Sequence, residues 1–130
     1  MLKILANVSR FKNKSKVVVL SNLDSDVRRL LSVEDVLRTH LIINGVLCSV
    51  FFDKIFKSKN YEPTIAVVND EGDFLGVLGG PCLILKYNAD TDDSVALDPS
   101  DVSKIMSVAE SASCRLDDGR ECKMILAKLM

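Results

Sequence analysis

Residues 39–51 read Thr-His-Leu-Ile-Ile-Asn-Gly-Val-Leu-Cys-Ser-Val-Phe, and the turn in the middle of this stretch decides the fold. Asn44 and Gly45 separate two apolar runs, and both residue types tolerate the positive φ angles that a type I′ turn requires. The stretch therefore predicts a β-hairpin over about 39–51. A two-residue turn also sets the strand pairing, so that Leu41 faces Cys48 across the hairpin.

Side chains along this hairpin alternate between its two faces. The mixed face carries His40, Ile42, Leu47 and Ser49. The apolar face carries Leu41, Ile43, Val46, Cys48 and Val50. Because large apolar groups stand on both faces, we expect helices or another subunit to cover the hairpin on both sides. The predicted interface residues are accordingly Ile42, Leu47, Val50 and Phe51.

Strand and turn signals continue downstream of the hairpin. The segments on either side of the polar turn 69–72 predict a second hairpin over about 64–78. After a Gly-Gly-Pro break, residues 82–87 predict a further strand. We expect these three strands to form an antiparallel meander, and residues 121–130 to form a strand or a short helix.

The best-marked helix is predicted over about 99–112. Asp98 can accept hydrogen bonds from the N–H groups at the helix start, and Pro99 suits the first turn. Polar residues at 21–24 predict the start of another helix. Together the elements predict an α+β fold, a mainly antiparallel β-sheet with two or three helices, in a single domain over residues 1–130.

Composition limits the environment of the protein. The chain has 130 residues, of which 48% are hydrophobic and only 5% aromatic, so the core is predicted to consist of Val, Leu and Ile. No apolar run reaches the roughly 20 residues that cross a bilayer. Residues 1–10 also lack the continuous apolar segment of a secretory signal. We therefore expect an intracellular, cytoplasmic protein with no membrane partner.

Basic and acidic residues are divided between the two halves of the chain. Residues 1–60 carry 11 Lys and Arg against 5 Asp and Glu, whereas residues 61–130 carry 6 against 13. Clustered Lys and Arg bind phosphates by releasing counterions, and an aromatic ring among them can stack on a base. The predicted nucleic-acid-binding residues are Arg10, Phe11, Lys12, Lys14, Lys16, Arg28 and Arg29.

Sites for metal or covalent chemistry are not indicated by the sequence. The chain has 1 His and no Cys-x-x-Cys pair, which disfavours zinc. A dyad of His40 and Cys48 is disfavoured because the hairpin register puts the two side chains on opposite faces. The acidic stretch of Asp90, Asp92 and Asp93 fails the calcium-loop pattern, and the glycines match no phosphate-binding loop. We therefore predict no catalytic or metal-binding residues and no cofactor.

The sequence leaves open whether Cys114 and Cys122 form a disulfide. A hairpin centred on Asp118 would place Cys114 opposite Cys122, which is a possible disulfide geometry. Cysteines inside a cell are usually reduced and buried, so the sequence favours thiols without deciding the matter.

The string Thr64-Ile-Ala-Val-Val-Asn-Asp-Glu-Gly-Asp-Phe-Leu-Gly-Val-Leu resembles the central hairpin of a CBS domain. CBS modules come as tandem pairs that bind adenosine nucleotides, so the resemblance implies an adenine-nucleotide sensor. The resembling string covers about a tenth of the chain. No second copy of it is found elsewhere in the sequence.

Three functional hypotheses follow from these observations. The leading one is a non-catalytic interaction protein that works by self-association or by docking to a macromolecular partner, motivated by the two-faced hairpin and the divided charge. The second is a nucleic-acid-binding regulator that uses the basic N-terminal half. The third is a CBS-like nucleotide sensor or a small enzyme. A fast-diverging viral or phage genome would be a fitting source for such a chain.

Overall fold

The computed structural model describes residues 5–11, 14–20, 23–31, 35–59 and 61–130. The strands in these ranges are β1 (Leu5–Phe11), β2 (Lys14–Leu20), β3 (Val36–Ile43), β4 (Val46–Asp53), β5 (Pro63–Val68), β6 (Phe74–Gly79), β7 (Cys82–Asn88), β8 (Asp93–Val95), β9 (Ala112–Arg115) and β10 (Glu121–Leu129). The helices are α1 (Leu23–Leu31) and α2 (Pro99–Met106), and a 3₁₀ helix spans Phe56–Lys59.

The strands form one sheet whose main path has the order β2-β1-β7-β4-β3-β10-β5-β6. β8 pairs with β7, and β9 pairs with β10. β10 and β5 run parallel, with Ile125 beside Ile65, while the other strand pairs are antiparallel. The α+β class is therefore confirmed, but the sheet is mixed and not purely antiparallel. The long connection between β5 and β10 permits this parallel pairing.

The hairpin of β3 and β4 has the predicted register. His40 pairs with Ser49, and Leu41 pairs with Cys48. Asn44 and Gly45 have φ angles of 47° and 79°, as the turn requires. The local turn chemistry was therefore sufficient to predict this pairing.

The predicted meander is wrong, because β7 does not follow β6 in the sheet. β5 and β6 do form the second hairpin, but β7 lies between β1 and β4. Leu83, Ile84 and Leu85 on β7 are all fully buried. A strand that is apolar on both faces is stable only where both faces are covered, which the centre of this sheet provides.

Each face of the sheet has its own apolar core. On one face, Val27 and Leu31 of α1 pack against Leu83 and Leu85. On the other face, a larger cluster includes Ile105 of α2 and the apolar side of the β3–β4 hairpin. The two helices therefore pack on opposite faces of the sheet, and α1 reaches the hairpin at Val36 and Phe51.

The second helix begins where predicted and ends earlier. Asp98 caps it, with the Asp98 Oδ1 atom accepting a hydrogen bond of 2.8 Å from the Asp101 amide. The prediction extended this helix to residue 112, but it ends at Met106. Beyond that point the hydroxyls of Ser107 and Ser111 donate to carbonyls three residues back, and the backbone forms turns that replace the helix. No helix in the described ranges is long and apolar enough to cross a membrane.

Candidate interaction surface

An apolar groove of about 520 Å³ is lined by residues of the neighbouring strands β4, β3, β10, β5 and β6 and by Phe56 of the 3₁₀ helix. Its lining is apolar or glycine except for one lysine. The lining residues are Leu37, Phe52, Lys54, Phe56, Val67, Leu75, Gly76, Val77, Leu78 and Leu129. The groove is therefore an apolar surface with a single positive charge.

Strand register brings residues from distant parts of the chain together in this groove. Leu37 on β3 lies opposite Phe52 on β4, and Val67 on β5 lies opposite Gly76 on β6. A Cβ atom added to Gly76 would meet no atom within 4 Å, so the groove is open above this residue. The missing side chain of Gly76 thus contributes to the depth of the groove.

Three leucines of the groove are unusually exposed for their size. Leu37, Leu75 and Leu129 expose 43%, 52% and 47% of their surface. Phe74, next to Leu75 in the chain, exposes 65%. These half-exposed leucines give the groove an apolar surface that a binding partner could bury.

The groove adjoins an outer strand of the sheet. β6 ends the strand order, and it pairs only with β5 among the described residues. Its sequence, Phe-Leu-Gly-Val-Leu-Gly, contains no charge and no proline. Leu75 has no opposite residue on β5, because Phe74 pairs with Val68 and Gly76 with Val67. The regular part of this uncharged edge therefore begins at Gly76.

Acidic side chains precede β6, and a lysine lies in the groove. Asp70, Glu71 and Asp73 are exposed in the turn that joins β5 to β6. Asn69 holds this turn, since its Oδ1 atom accepts hydrogen bonds from the amides of Glu71 and Asp73 at 3.0 and 2.9 Å. Lys54 is exposed at the groove. The surface is thus negative before β6 and positive beside it.

The predicted interface residues lie elsewhere on the sheet. Ile42 and Leu47 are half-buried, Val50 is fully buried in the larger core, and Phe51 packs against the core under α1. None of these four residues lines the groove. The sequence prediction named the hairpin and did not name β6, whose run of six uncharged residues from Phe74 is also visible in the sequence.

The predicted nucleic-acid-binding residues fall on β1, β2 and α1. Pairing of β1 with β2 sets Phe11 opposite Lys14 and Arg10 opposite Ser15. Lys16 lies opposite Ser9 on the same pair of strands. The structure therefore gathers the backbones of Arg10, Phe11, Lys14 and Lys16 at one end of this hairpin.

Two basic residues of the same predicted set lie on a helix. Arg28 and Arg29 are exposed in the last turn of α1. Lys12 lies outside the described residues. The predicted nucleic-acid-binding residues are thus divided between the end of the β1–β2 hairpin and the last turn of α1.

The contacts around His40, the one histidine in the sequence, indicate a structural role. The His40 ring stacks on Tyr87 with the ring centroids 3.8 Å apart. Tyr87 donates a 2.7 Å hydrogen bond to Asp92, which lowers the pKa of the Asp92 carboxyl, and Arg38 also pairs with Asp92 at 3.2 Å. These contacts fasten the β7–β8 turn to β3.

Cysteine chemistry is limited by burial. Cys48 and His40 lie on opposite faces of the hairpin, as predicted, and burial raises the pKa of the Cys48 thiol to about 12. A thiol of this pKa is a poor nucleophile at neutral pH. Cys114 does lie opposite Cys122, but no disulfide joins them.

Acidic, cysteine and histidine side chains are the ligands that a metal site would need. No group of three or more could hold an ion among the residues that the structure describes.

Comparisons of this chain with family models, with curated proteins and with solved structures found no match.

Proposed function

We propose that the protein is a non-catalytic interaction protein whose binding surface is the apolar groove beside β6. One observation carries the proposal, namely that half-exposed leucines of the groove lie next to an uncharged outer strand. Burial of apolar side chains would supply the affinity. The outer strand would supply backbone hydrogen bonds to an extended partner chain.

The character of β6 itself supports this proposal. Outer strands are usually protected by lysine, proline or inward-pointing charge, because an uncovered apolar edge promotes aggregation. β6 carries none of these residues, and Phe74 and Leu75 add large exposed side chains. An edge of this kind is best explained by a partner that covers it.

A labelled peptide with the sequence of residues 72–80 tests the proposal, because it is an extended apolar strand. We expect the full chain to bind it, as measured by fluorescence anisotropy, and the Leu75→Lys variant to lose most of that binding. Leu126→Lys is the matched control, since Leu126 is 41% exposed on β10 and lies outside the groove. Equal binding by all three proteins, or no binding by any at a concentration where the chain is monomeric, would contradict the proposal.

A second candidate function is nucleic-acid binding by the basic N-terminal half. It is supported by the backbone register that gathers Arg10, Phe11, Lys14 and Lys16, and by the exposed Arg28 and Arg29. Phosphate binding by such residues weakens steeply with salt. We expect a mobility shift with a single-stranded oligonucleotide at low salt, and the Arg28→Ala, Arg29→Ala double variant to reduce it. Absence of a shift at low salt would exclude this function.

A further inference from the structure

We propose that the partner docked beside the groove is a second copy of the same chain, joined by antiparallel pairing of β6 with β6. This inference rests on the proposed function and specifies its partner. The two sheets would then continue through the interface, and β6 of each copy would border the groove of the other.

The choice of β6 follows from a comparison of the two ends of the sheet. β2 begins with Lys14 and Lys16, and lysines on an outer strand oppose pairing with another chain. β6 has no charged residue over its whole length. Pairing of β6 with its own copy joins like edges, so the association closes at two copies without extending into a filament.

Side-chain sizes on β6 are complementary to themselves. An antiparallel pair related by a two-fold axis requires one residue to face its own copy, and Val77 is the middle of the regular stretch. Pairing centred on Val77 sets Gly76 opposite Leu78 of the second copy. The space above Gly76 is open, so it can accept the leucine. Val77-centred pairing therefore places the large side chain of Leu78 beside the smallest residue of the strand.

Charges at the two ends of β6 also suit this arrangement. Antiparallel pairing carries the acidic turn of one copy, with Asp70, Glu71 and Asp73, toward the Gly79 end of the other. The 3₁₀ helix lies at that end, since a Cβ atom on Gly79 would be 3.4 Å from Phe56. Lys54 is exposed in the groove beside Phe56. The acidic turn of each copy would therefore meet a positive charge of the other.

The first test measures mass and backbone protection of the full chain. We expect light scattering to report a dimer, and amide hydrogen exchange in residues 74–79 to slow as concentration rises. The Gly76→Lys variant should be a folded monomer, because the added side chain has room in one copy and a lysine on an outer strand opposes pairing with another strand. Leu126→Lys should remain a dimer and serve as the control.

Exchanging the charges of Lys54 and the acidic turn gives a second, independent test of the dimer. Lys54→Glu should weaken the dimer by roughly three- to tenfold, since like charges would meet. Combining it with Asp70→Lys and Glu71→Lys should restore the wild-type dissociation constant. Recovery of dimerisation in the combined variant would support β6 pairing even if Gly76→Lys fails to fold.

The outcomes separate this inference from the proposed function. A dimer that Gly76→Lys and the charge variants leave intact, with unchanged exchange in β6, would overturn β6 pairing. A monomer at every concentration that still binds the residue 72–80 peptide would also overturn it, while the proposed docking function would stand. A monomer that binds no peptide would remove both.

Discussion

Gly80 illustrates how single residues control the path of the chain. It lies between β6 and β7 with a φ of 77°, and an added Cβ atom would overlap the ring of Tyr61. Its carbonyl also accepts a 3.0 Å hydrogen bond from the Thr64 hydroxyl. This corner directs β7 away from the β5–β6 hairpin, so that β5 is the one strand paired with β6 among the described residues.

Replacement of Gly80 by alanine should therefore be costly. We expect Gly80→Ala to lower the free energy of unfolding by roughly 2–5 kcal/mol, which combines left-handed strain with overpacking. Gly119→Ala is the matched control, because Gly119 has a φ of 89° and no atom within 4 Å of the added Cβ. It should cost only about 1–2 kcal/mol. Urea denaturation measures both, and equal losses would show that the Tyr61 contact has no energetic effect.

The lowered pKa of Asp53 predicts that the stability of the protein depends on pH. Burial alone would raise the pKa of its carboxyl, but hydrogen bonds from Lys59 at 2.7 Å and from the Ile55 amide outweigh burial and hold the pKa below its ordinary 3.8. The folded state therefore binds this proton less tightly than the unfolded state does. The resulting stability is complete above the ordinary pKa and is lost as pH falls through the lowered one.

The Asp53→Asn variant isolates this contribution. We expect its unfolding free energy to lie below that of the wild type at neutral pH, and the difference to shrink in acid. Asp70→Asn is a suitable control, because Asp70 is an exposed turn residue. A difference that does not change between neutral and acidic pH would contradict a charged role for Asp53.

At the scale of elements, helix α2 depends on its cap. The Asp98 side chain accepts a hydrogen bond from the Asp101 amide, and removal of an N-cap side chain typically costs about 1 kcal/mol. We expect Asp98→Ala to lower stability by about this amount, measured by chemical denaturation. Ser100→Ala, an exposed change one residue past Pro99, should have little effect. A neutral Asp98→Ala variant would mean that packing of Ile105 alone holds the helix.

The β9–β10 hairpin makes a prediction about thiol reactivity. Cys48, Cys82 and Cys122 are each 1% exposed or less, whereas Cys114 is partly exposed. We expect native-state alkylation to label Cys114 first, and all four cysteines to be labelled after unfolding without reductant. Mass spectrometry distinguishes these states. Two cysteines that resist labelling after unfolding would indicate a disulfide between Cys114 and Cys122.

For the whole molecule, the proposed dimer couples stability to concentration. A partner that binds only the folded state raises its apparent stability by mass action. We expect the melting temperature of the wild-type chain to rise with protein concentration, and that of Gly76→Lys to stay constant. Calorimetry over a range of concentrations checks this, and a constant melting temperature in the wild type would contradict a folding-linked dimer.

The charge division of the sequence is only partly maintained in the fold. Arg38 from the basic half pairs with Asp92 from the acidic half. Lys59 instead pairs with Asp53 within its own half, and Arg120 pairs with Glu62 within the acidic half. Counting charges along the chain therefore could not predict the groove, whose charge pattern comes from neighbouring turns.

The sequence by itself determined the local features of this protein. Asn44 and Gly45 set the register of β3 and β4, and Asp98 with Pro99 set the start of α2, because turn dihedrals and helix caps act within a few residues. Only the tertiary structure decided that β7 lies at the centre of the sheet, that β10 runs parallel to β5 and that β6 is left at the edge. These pairings between distant strands depend on the collective burial of both faces, which leaves no signature in any short stretch of the chain.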